Sequence, residues 1–352
     1  MNLLRSLSGL LVMTCAALAA AEPIKVLTDE ALRQPHNVAL DARGDVYGVE
    51  SLFTNRVFKL AGGKVEIVSG LRWDSAPKGQ RPPEPAKPLD LAPAVYNSLT
   101  DIAIAPDGSI YVTDSSQHRI VRLDPATRQA TLFAGTGRAG FSGDDGPADQ
   151  ARLNIPTGVA LDPTGKFLLV ADLGNHRVRR IDLATRVITT LAGSGEPGLP
   201  VDGATALEAP LGYVRSACLA QDGTLYALLI ANDALLAIKD GKVRVVVNKA
   251  GRTGPATDGP AAAARMNKPK YVTMDAKGNV LILDTENHCL RLFDPAKQTI
   301  RTIAGNGKKG SAVGADWAST QLNRPHGARI GPDGRLYITD TENNRILSGP
   351  AP

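Results

Sequence analysis

The sequence predicts an all-β protein, a six-bladed β-propeller, because one short pattern occurs six times along the chain. Each copy has an alternating apolar run, a turn built on glycine and a second apolar run, and most copies end in an acidic residue. The turn glycines recur at spacings of 55 to 64 residues and are Gly44, Gly108, Gly165, Gly223, Gly278 and Gly334. Such a spacing holds four short strands with their connections, which is one propeller blade.

The order of elements within a blade is visible in the second and third copies. The apolar run at 159–161 is typical of a buried inner strand, and Asp107-Gly108 predicts a hairpin turn before an alternating second strand. The blade continues with a polar corner, a third strand and a fourth strand, at 117–119, 120–123 and 130–133.

The two ends of the chain predict how the ring closes. The last repeat ends at Ile346-Leu347-Ser348 and lacks a fourth strand, whereas the apolar run at 24–27 precedes the first repeat. An N-terminal strand that completes the last blade would leave no exposed sheet edge. We therefore predict a single propeller domain over residues 22–352.

Residues 1–21 have the composition of a secretory signal peptide. Arg5 supplies the positive charge, the run at 10–18 is apolar, and Ala19-Ala20-Ala21 offers a cleavage site. This predicts an exported protein, periplasmic or secreted. The apolar run is too short to cross a bilayer, and no later run reaches 18 apolar residues, so we expect no membrane span.

The charge of the chain indicates which partners to expect, and its cysteine content indicates whether disulfides stabilise the fold. The formal net charge is +5 and the chain has no block of Lys and Arg, so we do not expect nucleic-acid binding, and we expect a monomer. After removal of the signal peptide only Cys218 and Cys289 remain, too few for a disulfide framework. Whether those two cysteines are bridged stays open.

A proline-rich insert at 73–97 interrupts the junction between the first two blades, with Trp73 and Tyr96 near its ends. Proline favours extended backbone, and long loops in compact domains are often functional. Two interpretations stand: a surface loop without consequence, or a lid over one end of the ring.

One position at the start of each inner strand differs between the repeats. Counting back eight residues from each turn glycine gives His36, Thr100, Thr157, Arg215, Lys270 and His326, which we call the mouth residues. Blades 1 and 6 are neighbours, so His36 and His326 should be close, and Arg215 and Lys270 come from adjacent blades. Cations and imidazoles that converge at one end of a channel suit a small anion such as a carboxylate. The alternative is a solvent-filled channel that binds nothing specific.

The repeated corners, such as Asn175-His176-Arg177, resemble the NHL repeat, and this resemblance implies a six-bladed β-propeller. The corner histidines His118, His176 and His288 recur with the blade, so we interpret them as structural. An Asp five residues before the corner Arg predicts a structural ion pair, for example Asp172 with Arg177.

The resemblance extends distantly to two groups of enzymes on this fold. Peptide-amidating lyases are similar propellers that hold zinc through histidines, which implies His36 and His326 as metal ligands and Tyr213 and Arg215 as catalytic groups. A catalytic zinc needs three protein ligands, and only Glu50 or Asp101 is available as the third. Lactonase-like propellers hold calcium, for which Glu50, Asn37 and Asp101 are loose counterparts.

Three functions follow from these observations, and the sequence does not decide whether the protein is an enzyme. The first is an exported binding module whose mouth residues hold a small anionic ligand or a protein partner. The second is a lyase or hydrolase that uses a divalent metal, zinc or calcium, at the channel mouth. The third is a protein-interaction scaffold that uses the insert at 73–97.

Overall fold

The chain folds into six antiparallel sheets that follow one another along the sequence as the blades of a ring. A computed structural model describes residues 22–28, 32–51, 54–70, 89–91 and 94–352. The predicted six-bladed β-propeller is confirmed in this part of the chain. The signal peptide predicted at 1–21 lies outside the described residues.

Blades 1 to 3 each begin with the strand that lines the channel. Blade 1 contains β2 (Pro35–Leu40), β3 (Val46–Glu50), β4 (Val57–Ala61) and β5 (Lys64–Ser69). Blade 2 contains β7 (Leu99–Ile104), β8 (Ile110–Asp114), β9 (Arg119–Asp124) and β10 (Gln129–Ala134), with β6 (Leu89–Asp90) at its outer edge. Blade 3 contains β12 (Pro156–Leu161), β13 (Phe167–Asp172), β14 (Arg177–Asp182) and β15 (Val187–Ala192), with β11 (Gly146–Pro147) outermost.

Blades 4 to 6 follow the same order. Blade 4 contains β16 (Val214–Leu219), β17 (Leu225–Leu229), β18 (Ala234–Lys239) and β19 (Lys242–Val247). Blade 5 contains β21 (Tyr271–Met274), β22 (Val280–Asp284), β23 (Cys289–Asp294) and β24 (Thr299–Ala304), with β20 (Gly259–Pro260) outermost. Blade 6 contains β25 (Gly327–Ile330), β26 (Arg335–Asp340), β27 (Arg345–Pro350) and β1 (Lys25–Val26).

The ring closes through the N-terminal strand, as the sequence predicts. β1 pairs antiparallel with β27, with Lys25 opposite Ser348 and Val26 opposite Leu347. The backbone of Leu27 adds one more hydrogen bond, to the carbonyl of Ile346. The outer edge of blade 6 is thereby covered, which removes a site where another chain could pair.

The core lies between the blades rather than at the centre of the ring. Six clusters of buried apolar residues occur in the described residues, one at each junction between neighbouring blades. The second strands are therefore buried along all or nearly all of their length, because both faces of each sheet pack against a neighbour. Cys218 and Cys289 are buried free thiols, so they are not bridged.

The insert at 73–97 is described only in its last part, at 89–91 and 94–97. Asp90 pairs with Gln129 at the outer edge of blade 2, and the buried Tyr96 shares a hydrogen bond of 2.7 Å with Ser69. This part of the insert is packed as scaffold. The remainder, including Trp73, lies outside the described residues, so its proposed role as a lid or contact surface stays a prediction.

Short 3₁₀ helices connect the strands, at Ser115–Gln117, Ala148–Gln150, Leu173–Asn175, Ala261–Ala263, Thr285–Asn287 and Thr341–Asn343. Four of the six form the corners between second and third strands, and each ends in a left-handed residue. Among the residues described here, no helix has the length and apolar character needed to cross a membrane.

Candidate functional site

The mouth residues stand at an irregularity of the inner strands. In blades 1 to 4 the pairing with the second strand shifts register where the mouth residue sits, for example between Pro35 and Asn37 and between Val214 and Ser216. An extra residue in one strand re-aims its side chain. In blades 5 and 6 the mouth residues Lys270 and His326 directly precede the inner-strand segments.

The two mouth histidines are together, as predicted. The ring centroids of His36 and His326 are 4.3 Å apart. The Nδ1 of His36 lies 2.8 Å from the carbonyl of Thr100, and the Nδ1 of His326 lies 2.8 Å from the carbonyl of Arg324. A carbonyl only accepts, so both imidazoles carry their proton on Nδ1 and present the lone pair of Nε2.

The two mouth cations are held by neutral groups. Lys270 donates to the Nε2 of His326 at 2.8 Å, and Arg215 donates through Nη1 to the carbonyl of Thr157 at 2.9 Å. That carbonyl also accepts the hydroxyl of Thr100 at 3.0 Å, so three mouth residues share one oxygen. Neither cation forms a salt bridge within the part of the chain that the structure describes.

Burial acts against positive charge at the mouth. It lowers the pKa of Lys270 to about 8 and the pKa of Arg215 to about 10. It also lowers the pKa of His36 and His326 well below the usual histidine value, and the neighbouring cations Arg215 and Lys270 lower both further. At neutral pH the mouth therefore holds two cations and two neutral imidazoles.

One residue further along the inner strands lies a second polar layer. Asp101 accepts hydrogen bonds from the Asn37 amide and from the backbone of Ile102 and Val159, at 2.8 and 2.9 Å for the latter two. Burial raises the pKa of Asp101 to about 6, although Arg329 and the backbone donors act in the opposite direction. Asp101 is thus a buried tie between blades 1, 2 and 3.

The mouth does not fit a zinc or calcium site. No group of three His, Cys, Asp or Glu in the described ranges is placed to hold a metal. Glu50, the predicted third ligand, accepts hydrogen bonds from Arg33, Thr54 and Arg56, and the Nε2 of His326 is occupied by Lys270. A metal at His36 would find one free imidazole, fewer than the three protein ligands that a catalytic zinc uses.

Tyr213, the predicted catalytic tyrosine, has its ring contact elsewhere. Its ring packs edge-on against His176 with centroids 4.5 Å apart, and 44% of the residue is exposed. Its backbone is left-handed, with φ of 55°. The structure thus places Tyr213 at the outer rim of the channel, two residues before Arg215, and not against the mouth histidines.

The rim is a feature that inspection of single motifs missed. The residue two positions before each mouth residue is left-handed in all six blades, and these rim residues are Gln34, Ser98, Ile155, Tyr213, Lys268 and Arg324. Aligning the repeats on the mouth residues reveals them at once. The rim surrounds the mouth on the same face of the ring.

The corners hold the rim through side-chain acceptors from the preceding blade. Asn55 accepts the backbone N–H of Ser98 at 2.8 Å, and the Nδ1 of His118 accepts that of Ile155 at 3.1 Å. In the same way, Asn344 accepts the N–H of Gln34, Asp233 accepts that of Lys268, and the Nδ1 of His288 accepts that of Arg324. In blade 3 the Nδ1 of His176 lies between the Leu211 carbonyl at 3.1 Å and the Tyr213 N–H at 3.3 Å. The corner histidines are therefore structural, as predicted.

The corner ion pairs follow the prediction in two blades and depart from it in a third. Arg119 pairs with Asp114 and Arg345 with Asp340, each at 2.8 Å. The predicted pair of Asp172 with Arg177 is wrong, because Asp172 faces Arg179 at 3.4 Å. Arg177 instead donates to two backbone carbonyls, those of Asn175 and Ser194.

Comparison with known families decides what the repeats are. The model of the NHL repeat matches residues 96–123, 153–181 and 322–347, which contain the corners of blades 2, 3 and 6. This chain contains NHL repeats and folds as a six-bladed β-propeller. The resemblance read from its corners is confirmed.

The chain is similar to one curated protein in sequence and to solved structures in fold. Bovine NHL repeat-containing protein 2 (Bos taurus) is 27% identical over 283 residues, a match that covers 71% of this chain and 38% of that protein. The chain thus spans well under half the length of this curated relative. An auxiliary nutrient binding protein from Bacteroides thetaiotaomicron has a TM-score of 0.65 at 15% identity, over 90% of this chain and 69% of the other.

A second similar structure is that of a lyase. Virginiamycin B lyase from Staphylococcus aureus has a TM-score of 0.50 at 16% identity, over 93% of this chain and 87% of the other. At these identities the likeness establishes the fold alone, because the same propeller carries unrelated functions.

Proposed function

We propose that this NHL propeller is an exported binding protein that holds a small carboxylate at the mouth of its channel. The observation that carries the proposal is the pair of mouth cations, the buried Arg215 and the partly buried Lys270, whose hydrogen bonds go to a carbonyl and an imidazole. Burying charge without a direct salt bridge is costly, and Asp101, Glu286 and Glu342 act on these cations only through longer-range attraction. A bound carboxylate would supply a direct counter-ion and accept the remaining N–H groups of both side chains.

The hydroxyl groups of the mouth residues Thr100 and Thr157 hold the backbone around Arg215 in place. Thr157 donates its hydroxyl to the Arg215 carbonyl at 3.0 Å, and Thr100 is bonded to Ser115 at 2.7 Å. These bonds hold the backbone of blades 2 to 4 together around Arg215. The ligand would therefore meet a preorganised site, which lowers the entropic cost of binding.

The comparisons are compatible with this proposal and do not choose the ligand. Two of the propellers with the same fold are described as auxiliary nutrient binding proteins, and others are lyases. The site's chemistry favours binding, because the described residues offer no third ligand that could hold a metal at the mouth. Export agrees with the composition of residues 1–21.

The histidines offer a direct test by NMR, because the chain has only five of them. Adding acetate is expected to shift the imidazole signals of His36 and His326 and to raise their pKa, while the corner histidines do not respond. Lys270→Met should abolish the response. Absence of any shift at His36 and His326 up to high acetate concentration would refute anion binding at the mouth.

Elemental analysis of the same sample tests the rival lyase or hydrolase. Stoichiometric zinc or calcium that is lost in a His36→Ala/His326→Ala variant would support a metal-dependent enzyme. Protein purified without chelator and free of metal would leave the binding proposal in place. The scaffold role of the insert at 73–97 is tested separately, by deleting residues 73–88 and measuring acetate binding, which we expect to persist.

A further inference from the structure

We infer that the ligand is an amphipathic carboxylate, with its charged end in the mouth and an apolar chain or ring lying over blades 3 and 4. This inference rests on the proposed function and names the class of ligand that the site takes. It comes from two sets of equivalent positions, both of which are apolar in blades 3 and 4 and polar in the other four blades.

The rim is the first of these sets. In blades 1, 2, 5 and 6 the rim residue is polar or charged, whereas in blades 3 and 4 it is Ile155 and Tyr213. Ile155 is 41% exposed and Tyr213 44% exposed. Both backbones are left-handed, a conformation in which a β-branched residue such as Ile155 is strained. Local stability therefore does not explain the choice of isoleucine.

The second set is the first residue of each corner. It carries a hydroxyl in blades 1, 2, 5 and 6, where three of the four hydroxyls donate to the next blade; the residues are Ser51, Ser115, Thr285 and Thr341. In blades 3 and 4 the same position is Leu173 and Ile230. Neither side chain belongs to one of the six core clusters, and both are partly exposed.

A contact in blade 2 shows that this second set lies beside the mouth residues. Ser115 lies 2.7 Å from the hydroxyl of the mouth residue Thr100 in its own blade. The equivalent residues Leu173 and Ile230 thus flank the mouth residues Thr157 and Arg215. The backbone of Ile230 also donates to the carbonyl of Tyr213 at 3.2 Å, which joins the two sets.

We call Ile155, Leu173, Tyr213 and Ile230 the apolar sector. It occupies blades 3 and 4 of the channel face, next to Arg215, while the basic residues Lys268 and Arg324 occupy the rim in blades 5 and 6. Arg324 is already paired with Glu286 at 2.7 Å and Glu342 at 3.3 Å. A ligand with a negative head and an apolar body matches this arrangement in both charge and polarity.

A series of straight-chain carboxylates tests the inference. Acetate, butyrate, hexanoate and octanoate are titrated into the full mature protein, with binding followed at the His36 and His326 imidazole signals. We expect affinity to rise about three- to fourfold per added methylene until the apolar sector is covered. Lys270→Met should weaken every member of the series.

Variants taken from other blades of the same chain separate the two ends of the ligand. Leu173→Thr/Ile230→Thr installs the residues that blades 5 and 6 use at this position, so the corners should fold. It is expected to weaken octanoate at least tenfold and to leave acetate unchanged. Val201→Thr, which changes an apolar residue that is 76% exposed in the connection from blade 3 to blade 4, serves as the matched control.

Two results would overturn the inference. If acetate and octanoate bind equally well, and both depend on Lys270, the mouth binds an anion but the apolar sector has no part in it. If octanoate binds better than acetate but is insensitive to the Leu173→Thr/Ile230→Thr change, the chain lies elsewhere. Failure of all four carboxylates to respond to Lys270→Met would instead refute the proposed function itself.

Discussion

One corner residue and one mouth residue of each blade can be compared. The corner residues form the same hydrogen bond in nearly every blade, whereas the mouth residues do not; the corner residues are Asn55, His118, His176, Asp233, His288 and Asn344. At the corners the residue type varies among Asn, Asp and His, and in five blades the side chain accepts the rim N–H of the next blade. At the mouth the residues range from threonine to arginine, and their partners differ from blade to blade.

In a repeat protein, this difference distinguishes positions that hold the fold together from positions that serve a function. A position that keeps one interaction while its residue changes is there to join neighbouring units. A position whose interactions differ between units, and which buries charge without a direct salt bridge, costs stability and calls for another explanation. By this criterion the corner histidines are scaffold, whereas the mouth residues are the positions that we propose as a ligand site.

The largest effect is expected at a corner. Asn55 accepts the N–H groups of Ser98 and Leu99, at 2.8 and 3.2 Å, and is buried. Asn55→Ala leaves both donors unpaired and should lower the free energy of unfolding by about 3 kcal/mol, measured by chemical denaturation. Asn55→Asp keeps the acceptor and tolerates the left-handed backbone, so it should lose far less. Equal losses in the two variants would show that the corner bond is not what joins blades 1 and 2.

A mouth residue should respond in the opposite direction. Because burial lowers the pKa of Lys270 to about 8, the unfolded chain holds this proton more tightly than the folded one. The cost to stability is present below pH 8 and disappears as pH rises towards the unfolded pKa of about 10.5. Lys270→Met should therefore stabilise the protein at pH 7, on the order of 2 kcal/mol, while abolishing carboxylate binding.

Lys268→Met is the matched control, because it removes the same charge from an exposed rim position two residues away. We expect it to leave the unfolding free energy unchanged to within about 0.5 kcal/mol. A stabilised Lys268→Met, or a destabilised Lys270→Met, would mean that the mouth cation is not held at the expense of stability.

The smallest effect concerns the response of the corners to acid. Burial lowers the pKa of His118 and His288 in the folded protein, and protonation would remove the Nδ1 acceptor. Their contribution is present above the unfolded pKa of about 6.5 and is lost as pH falls below it. His118→Asn/His288→Asn uses the acceptor found in blades 1 and 6, so it should reduce the stability lost between pH 7 and 5, by about 1 kcal/mol.

The measurement is the difference between wild type and the double variant in denaturation midpoint at each pH. Taking the difference cancels the contributions of buried carboxylates such as Asp114 and Asp284, whose pKa is raised to about 6. Parallel pH profiles for the two proteins would contradict the assignment of these histidines as acceptors between blades.

From the sequence alone we could predict the number of blades, the closure of the ring by the N-terminal strand and the six mouth positions. It could do so because these properties depend on strand order and repeat spacing, which a one-dimensional pattern records. The proximity of His36 and His326 also followed, since neighbouring blades bring equivalent positions together.

Only the tertiary structure decided which partner each side chain meets. In the folded protein Arg179, rather than Arg177, pairs with Asp172. The ring of Tyr213 packs against His176, and Lys270 donates to the Nε2 of His326. These contacts join residues far apart in the chain or shifted by a bulge, so they depend on side-chain direction and distance across blades. Spacing along the chain specifies neither the direction of a side chain nor its distance from the next blade, and a hydrogen bond depends on both.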